Sequence, residues 1–171
     1  MTIHSEHPFL PPEDERNPLR RLRARLGAPV TLWLTGEGRM RAGLTVSSLL
    51  VVDGEPGGVL GLLDPDSDLW ETIRDRGTFT VCLLSYQQRA LADAFAGVAP
   101  APGGAFRMAT WDETQWGPAL AGSSWIGCRL EPSSGREYGW SVLAEGVAEH
   151  VEIGIDEGPL LHRRGRYHRL G

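Results

Sequence analysis

Three stretches carry residue types that can do chemistry. The first is Ala42-Gly43-Leu44-Thr45-Val46-Ser47-Ser48. Read as an alternating strand, it puts Thr45 and Ser47 on one face and Val46 and Ser48 on the other. Hydroxyls in series, beside a glycine that admits close backbone approach, suit the oxygens of an anion. The plain alternative is a half-exposed strand. The second stretch is the C-terminal cluster Arg163, Arg164, Arg166 and Arg169 with Tyr167. Arginine forks match phosphate oxygens, and tyrosine stacks on a flat ring. The plain alternative there is a solvated basic tail. The third is Asp64-Pro65-Asp66-Ser67-Asp68, which reads first as the start of a helix.

Much other chemistry is excluded by composition. All 17 basic residues among the 171 are arginine. With no lysine there is no Schiff base, no phosphate-loop lysine and no Ser–Lys pair. Cys82 and Cys128 stand alone in strand-like apolar text, FTVCLL and WIGCRL, and read as buried core thiols. The histidines are His4, His7, His150, His162 and His168. They form no metal-ligand spacing, and no G-x-S-x-G nucleophile turn is present. The expectation is therefore no metal and no catalytic side chain. A net charge of −5 argues against nucleic acid as the main partner. The start, MTIHSEHPFLPPEDER, lacks the basic and apolar regions of a signal peptide. No apolar run is long enough to span a membrane. A cytoplasmic protein follows as the expectation.

These groups must be positioned by elements that are legible in the periodicity. Residues 1–16, rich in proline and acid, read as a flexible arm, and 17–171 as one domain. Asn17, Pro18 and Gly27 frame a short helix with Leu19, Leu22 and Leu26 as its apolar stripe. Strands are expected at 29–35, at 40–54 as one long strand, and at 59–64, the last covered on both faces. A helix follows at 68–77, with Asp68 and Glu71 at capping-box spacing and Gly77 as its stop. A strand at 79–85 leads through a Ser85–Gln88 capping box into a helix ending near Ala96. Residues 106–116 read as irregular. Strands resume at 124–132 and at 138–154, the latter bent at Gly146, and two short strands flank Arg164–Gly165. The fold class is mainly β, a closed or half-closed barrel with short helical inserts.

The order of these pieces resembles the flavin reductase-like domain family, whose fold is the FMN-binding split barrel. The resemblance rests on G-x-T-V-S-S at Gly43–Ser48 and on W-E-x-I-R in the helix after the third strand. It also rests on G-x-F-x-V-x-L-L-x-x-x-Q-x-x-L-A-x-x-F-A over Gly77–Ala96, and on G-P-L-L-x-x-R-G-R-Y-x-R-L over Gly158–Leu170. It covers about residues 25–170.

The resemblance implies hydride transfer from NAD(P)H to N5 of FMN, or of FAD, with service to a separate monooxygenase as one form of that role. It implies that Thr45, Val46, Ser47, Ser48 and Leu49 approach the flavin, that Asp64 and Ser67 lie at its phosphate, and that Phe95 packs beneath. Arg163 and Arg166 would face the phosphate or the nicotinamide nucleotide. It implies a homodimer with the cofactor near the interface. The sequence departs from the family pattern in four places, one of them the tail, where His162 and Arg163 stand before R-G-R-Y in place of the usual tyrosine and histidine. Leu49 stands where an aromatic residue is common, SSGREYGW lacks the usual histidine, and Asp64, Asp66 and Asp68 bring three carboxylates to the phosphate turn. These departures leave two alternatives open: a split barrel binding another cofactor, a deazaflavin or haem, and a non-catalytic flavin-binding dimer.

Overall fold

The computed structural model describes residues 17–170; the arm read over residues 1–16 lies outside them. The order is α1 (Pro18–Arg25), β1 (Ala28–Pro29), β2 (Thr31–Thr35), β3 (Ala42–Val46), β4 (Leu49–Val52), β5 (Gly58–Leu63), α2 (Asp68–Arg76), β6 (Thr78–Leu83) and α3 (Arg89–Phe95). It continues with β7 (Trp111–Thr114), β8 (Gly117–Leu120), β9 (Trp125–Leu130), β10 (Arg136–Tyr138), β11 (Ser141–Glu152), β12 (Leu160–Arg163) and β13 (Arg166–Arg169).

One antiparallel sheet runs β3-β2-β6-β9-β11-β5-β4, with β10 paired to the start of β11. The sheet curls into a half-barrel, so the fold is mainly β with three α-helices among the described residues, as the pattern predicts. Its concave face is filled by Trp33, Phe79, Val81, Val59, Leu63, Ile126 and Val142, and Leu69, Trp70 and Ile73 of α2 pack onto this cluster. Trp33 stacks on Phe79 with ring centroids 5.0 Å apart. The other face of β2 and β6, carrying Leu32, Leu34, Cys82 and Leu84, is covered by α3, the β7–β8 hairpin and Leu160 of β12. This double cover explains why all five residues of β2 are buried. β1, β12 and β13 form a separate three-stranded sheet.

Several expectations need correction. The single strand over 40–54 is two: β3 pairs with β2, while β4 pairs with β5, and Ser47–Ser48 carries the chain between the two ends of the sheet. Continuous apolar text hides such a crossing because both halves keep strand character. β5 is covered on one face only, since Leu62 is exposed and the strand belongs to an antiparallel sheet. The segment read as irregular contains β7, which pairs with β8 through Thr114–Gly117, and the Thr114 hydroxyl closes the turn on the Gly117 carbonyl at 2.6 Å. Pro118 and the glycine masked β8. β11 is interrupted by a bulge between Ala148 and His150 instead of a bend at Gly146. Gly146 instead makes room for the core, since a Cβ there would sit 2.5 Å from the Phe79 ring. The cap of α2 is Ser67, whose Oγ accepts from Trp70 N–H at 3.2 Å, with Asp68 inside the first turn.

Candidate flavin site

The crossing at Ser47–Ser48 is built from both sides. The Thr31 hydroxyl donates to the Val46 carbonyl at 2.8 Å and fixes the end of β3. Beyond it the Ser48 carbonyl accepts from Leu62 N–H at 3.0 Å, and the Ser48 hydroxyl donates to the Leu62 carbonyl at 2.9 Å. Leu49 then enters β4 opposite Gly61, where a Cβ would lie 2.5 Å from Trp33. The crossing is thus braced from both sides, with Ser48 exposed and Ser47 half-buried.

Ser47 differs from its neighbours in its hydroxyl. Among the described residues, Thr45, Ser48 and Ser67 all commit their hydroxyl protons internally, and Ser47 makes no such bond. Thr45 Oγ1 donates to the Ala92 carbonyl of α3 at 2.6 Å. Ser67 Oγ donates to the Asp64 carbonyl at 2.7 Å while accepting from Trp70 N–H. A hydroxyl that already donates offers a ligand only its lone pairs, which an anion does not seek.

The structure brings Ser48 and Leu49 to β5, and β5 leads directly into the Asp64–Asp68 turn. There Asp64 Oδ1 accepts from Asp66 N–H at 2.9 Å, an Asx turn that braces the loop. Asp64, Asp66 and Asp68 are all exposed, with Glu71 one turn into α2. No arginine is ion-paired to them among the described residues. The Ser47–Leu49 crossing fits a neutral, flat, hydrogen-bonding group. The turn at Asp64–Asp68 does not fit a phosphate, because carboxylates occupy the helix start that would receive it.

Phe95 lies beneath β3. A Cβ on Gly43 would meet its ring at 2.6 Å, so glycine there permits the contact. Phe106 and Trp111 hold the same ring edge-on, at 4.9 and 5.8 Å. Sequence reading missed these two supports because they belong to the segment read as irregular.

Arg163 and Arg166 sit opposite each other in the β12–β13 hairpin, whose turn is Arg164–Gly165. They alternate with His162 and Tyr167, so they take the other face. Arg163 Nε donates to the Arg25 carbonyl at 3.0 Å, and Arg164 N–H to the Ala24 carbonyl at 2.8 Å. Arg163 and the Arg164 backbone therefore meet α1, while Tyr167 meets α3, donating to Asp93 Oδ1 at 2.8 Å. Burial and this anionic acceptor both push the Tyr167 phenol above its ordinary range. His162 packs edge-on to Tyr167. Burial lowers its pKa, and Arg23 and His168 lower it further against the opposing pull of Asp93. The Asp93 anchor was not foreseen; it stands at an unspecified position of the L-A-x-x-F-A pattern.

Cys82 and Cys128 are free and fully buried. Burial pushes their thiols up to about 11 and about 12, with Glu149 adding to the second. They are inert core residues, as their apolar context predicts. No helix among the described residues is long and apolar enough to cross a membrane.

Comparison with known proteins agrees with this architecture. The sequence profile of the flavin reductase like domain matches residues 23–171. The FMN reductase (NADH) RutF of Variovorax paradoxus (strain S110) is 28% identical over 165 residues, 95% of this chain and 88% of that protein. The reductase component of the FADH(2)-dependent resorcinol hydroxylase of Rhizobium sp. (strain MTP-10005) is 27% identical over 138 residues, 81% of this chain and 76% of its own length. The structure of the Streptomyces globisporus C-1027 NADH:FAD oxidoreductase SgcE6 superposes with a TM-score of 0.80 at 24% identity, covering 94% of this chain and 99% of that one. With the profile matched over most of its length, this chain belongs to the flavin reductase like domain family.

Proposed function

We propose that this protein is an NAD(P)H-dependent flavin reductase that takes FMN, or FAD, at the Ser47–Leu49 crossing. The observation that carries this reading is the Ser47 hydroxyl: among the described residues it alone of the site's hydroxyls donates to no protein group, on a backbone braced from both strands. When bound, the flavin supplies the hydride-accepting ring. The chain's own part is to hold that ring flat against the crossing, with Phe95 fixing the strand from below. It must also leave one face open to the nicotinamide, at roughly 3–3.5 Å between reacting atoms. No lysine, thiol or acid–base histidine is needed, which suits a chain whose thiols are buried.

The finer reading is a cytoplasmic homodimer that delivers reduced flavin to a separate monooxygenase. The names of the Rhizobium relative and of the reductase components among its structural neighbours support a role of that kind. Large exposed apolar side chains, among them Leu50, Val51 and Leu62 beside the crossing, support a partner that covers them.

The test is spectral and kinetic. Purified protein titrated with FMN or FAD should perturb the flavin band near roughly 450 nm. NADH or NADPH oxidation should rise with added flavin. Failure of both the titration and the turnover would overturn the reading.

A further inference from the structure

The chain has six tryptophans, and five of them are buried or half-buried. Trp140 is 97% exposed. So exposed a side chain adds nothing to the packing of the fold, although an aromatic ring of this size is the most productive one to bury. Trp140 follows Gly139 at the tip of the β10–β11 hairpin, where Gly139 turns the chain with a φ of +55°. The stem beneath the tip is braced. The Arg136 guanidinium lies 4.9 Å from the centre of the Tyr138 ring, and Ser134 Oγ donates to the Leu143 carbonyl at 3.2 Å. An ordered stem thus presents an indole that touches almost nothing.

Strand register sets where this tip stands. β5 has β4 on one side and β11 on the other. Ser48 bonds to the Leu62 backbone from the β4 side, and Leu143 is opposite Leu62 on the β11 side. Val142 is opposite Leu63, the last residue of β5, so Trp140 comes level with the turn that starts at Asp64. Two strand spacings and three residue rises separate Trp140 from Ser48, about 14 Å from backbone to backbone. The crossing, the acidic turn and the indole therefore share one rim. The gap lies within the combined reach of a tryptophan side chain and a tricyclic ring.

We propose that Trp140 stacks on the outward face of the flavin ring and is displaced from it by the nicotinamide. The inference rests on the flavin-site reading and adds a chain group to the face that reading leaves open. The crossing takes one face of the ring, so indole and nicotinamide need the same remaining one. Stacking requires no charge and no hydrogen bond. Asp64, Asp66 and Asp68, which repel a phosphate, leave such a contact unopposed.

Trp140→Ala and Trp140→Phe in the full chain test this. Both should keep the wild-type Tm, because the side chain is exposed. By isothermal titration Trp140→Ala should bind FMN roughly tenfold more weakly, the scale of loss when a stacked ring is truncated, and Trp140→Phe should stay within about threefold of wild type. FMN should quench a smaller fraction of the tryptophan emission in the alanine variant. At saturating FMN the KM for NADH or NADPH should fall in that variant, since the competitor for the outer face is gone. Wild-type protein that binds no flavin would overturn this inference and the flavin-site reading together. Flavin binding that is unchanged in Trp140→Ala would overturn this inference alone, and so would equal losses in both variants. A KM that rises in Trp140→Ala would assign the indole to the nicotinamide instead and would also overturn it.

Discussion

The Tyr167 phenol reaches Asp93 Oδ1 at 2.8 Å, joining the C-terminal hairpin to the helix that also anchors Thr45. One residue earlier in α3, the Ala92 carbonyl takes the Thr45 hydroxyl at 2.6 Å. The hydroxyl strand and the hairpin are thus coupled through two adjacent residues of one helix.

Removing that coupling should cost stability. Tyr167→Phe deletes a hydrogen bond to a carboxylate in a half-buried setting, a loss of about 1–2 kcal/mol. In a chain of this size that is roughly 2–8 °C in Tm, measured by calorimetry. An unchanged Tm would mean that the hairpin's other contacts, to α1, β1 and Leu84, hold it without this bond.

The hydroxyls of the crossing should separate by role. Ser47→Ala should weaken flavin binding about 3- to 10-fold, the cost of one neutral hydrogen bond, with little change in Tm. Ser67→Ala should do the reverse: it removes the α2 cap and costs about 1 kcal/mol of stability while flavin affinity holds. Isothermal titration and thermal unfolding of the two variants decide the matter. Equal affinity loss in both would return the phosphate to the α2 turn.

Relieving the carboxylates gives an independent check on that turn. Asp66→Asn with Asp68→Asn leaves the Asp64 Asx turn and the Ser67 cap in place. If the flavin phosphate lies away from the turn, FMN affinity should change by less than about threefold, a surface effect screened by salt. A tenfold gain, lost at high ionic strength, would place the phosphate there.

His162 should make stability depend on pH. Its folded pKa lies below the ordinary value of 6.5, because burial and the nearby Arg23 and His168 disfavour the charged form. The unfolded chain therefore binds more protons in the window beneath 6.5, and stability falls as pH drops through it. Above about pH 7 the contribution is complete. Urea midpoints measured from pH 7.5 to 5.5 should decline in wild type more steeply than in His162→Gln.

A close approach should prove intolerant. Gly43→Ala places a Cβ 2.6 Å from Leu34 Cδ2 and from the Phe95 ring, which Phe106 and Trp111 hold in place. The expected loss is about 1–3 kcal/mol by chemical denaturation. Phe95→Leu in the same chain should recover part of it.

Much of this architecture is legible in the sequence because it is local. Asn17, Ser85 with Gln88 and Gly77 mark helix ends through short-range bonds, and the apolar periods find β2, β6 and β9. What escapes depends on pairing between distant strands. Nothing in the text of residues 40–54 says that β3 and β4 bond to different partners. Proline and glycine in β8 disguise a strand whose partner, β7, is itself short and half-exposed. In the site, the hydroxyl-bearing segment can be found from residue types. Which hydroxyls are free cannot, since Thr45 and Ser48 lose theirs to Ala92 and Leu62, carbonyls without sequence signature. The same holds for Arg163, whose Nε meets the Arg25 carbonyl, again an acceptor without sequence signature.

The crossing at Ser47–Ser48 also bears on how the chain folds. The two ends of the seven-strand path are the most distant in the sheet, yet two residues connect them. Curling the sheet therefore adds almost no loop entropy, since that cost grows with the logarithm of loop length and here the loop is minimal. The short link limits how far apart the two end strands can stand and so bounds the circumference of the half-barrel. A flexible insert between Ser47 and Ser48 would leave every strand pairing intact and let the two end strands, β3 and β4, move apart.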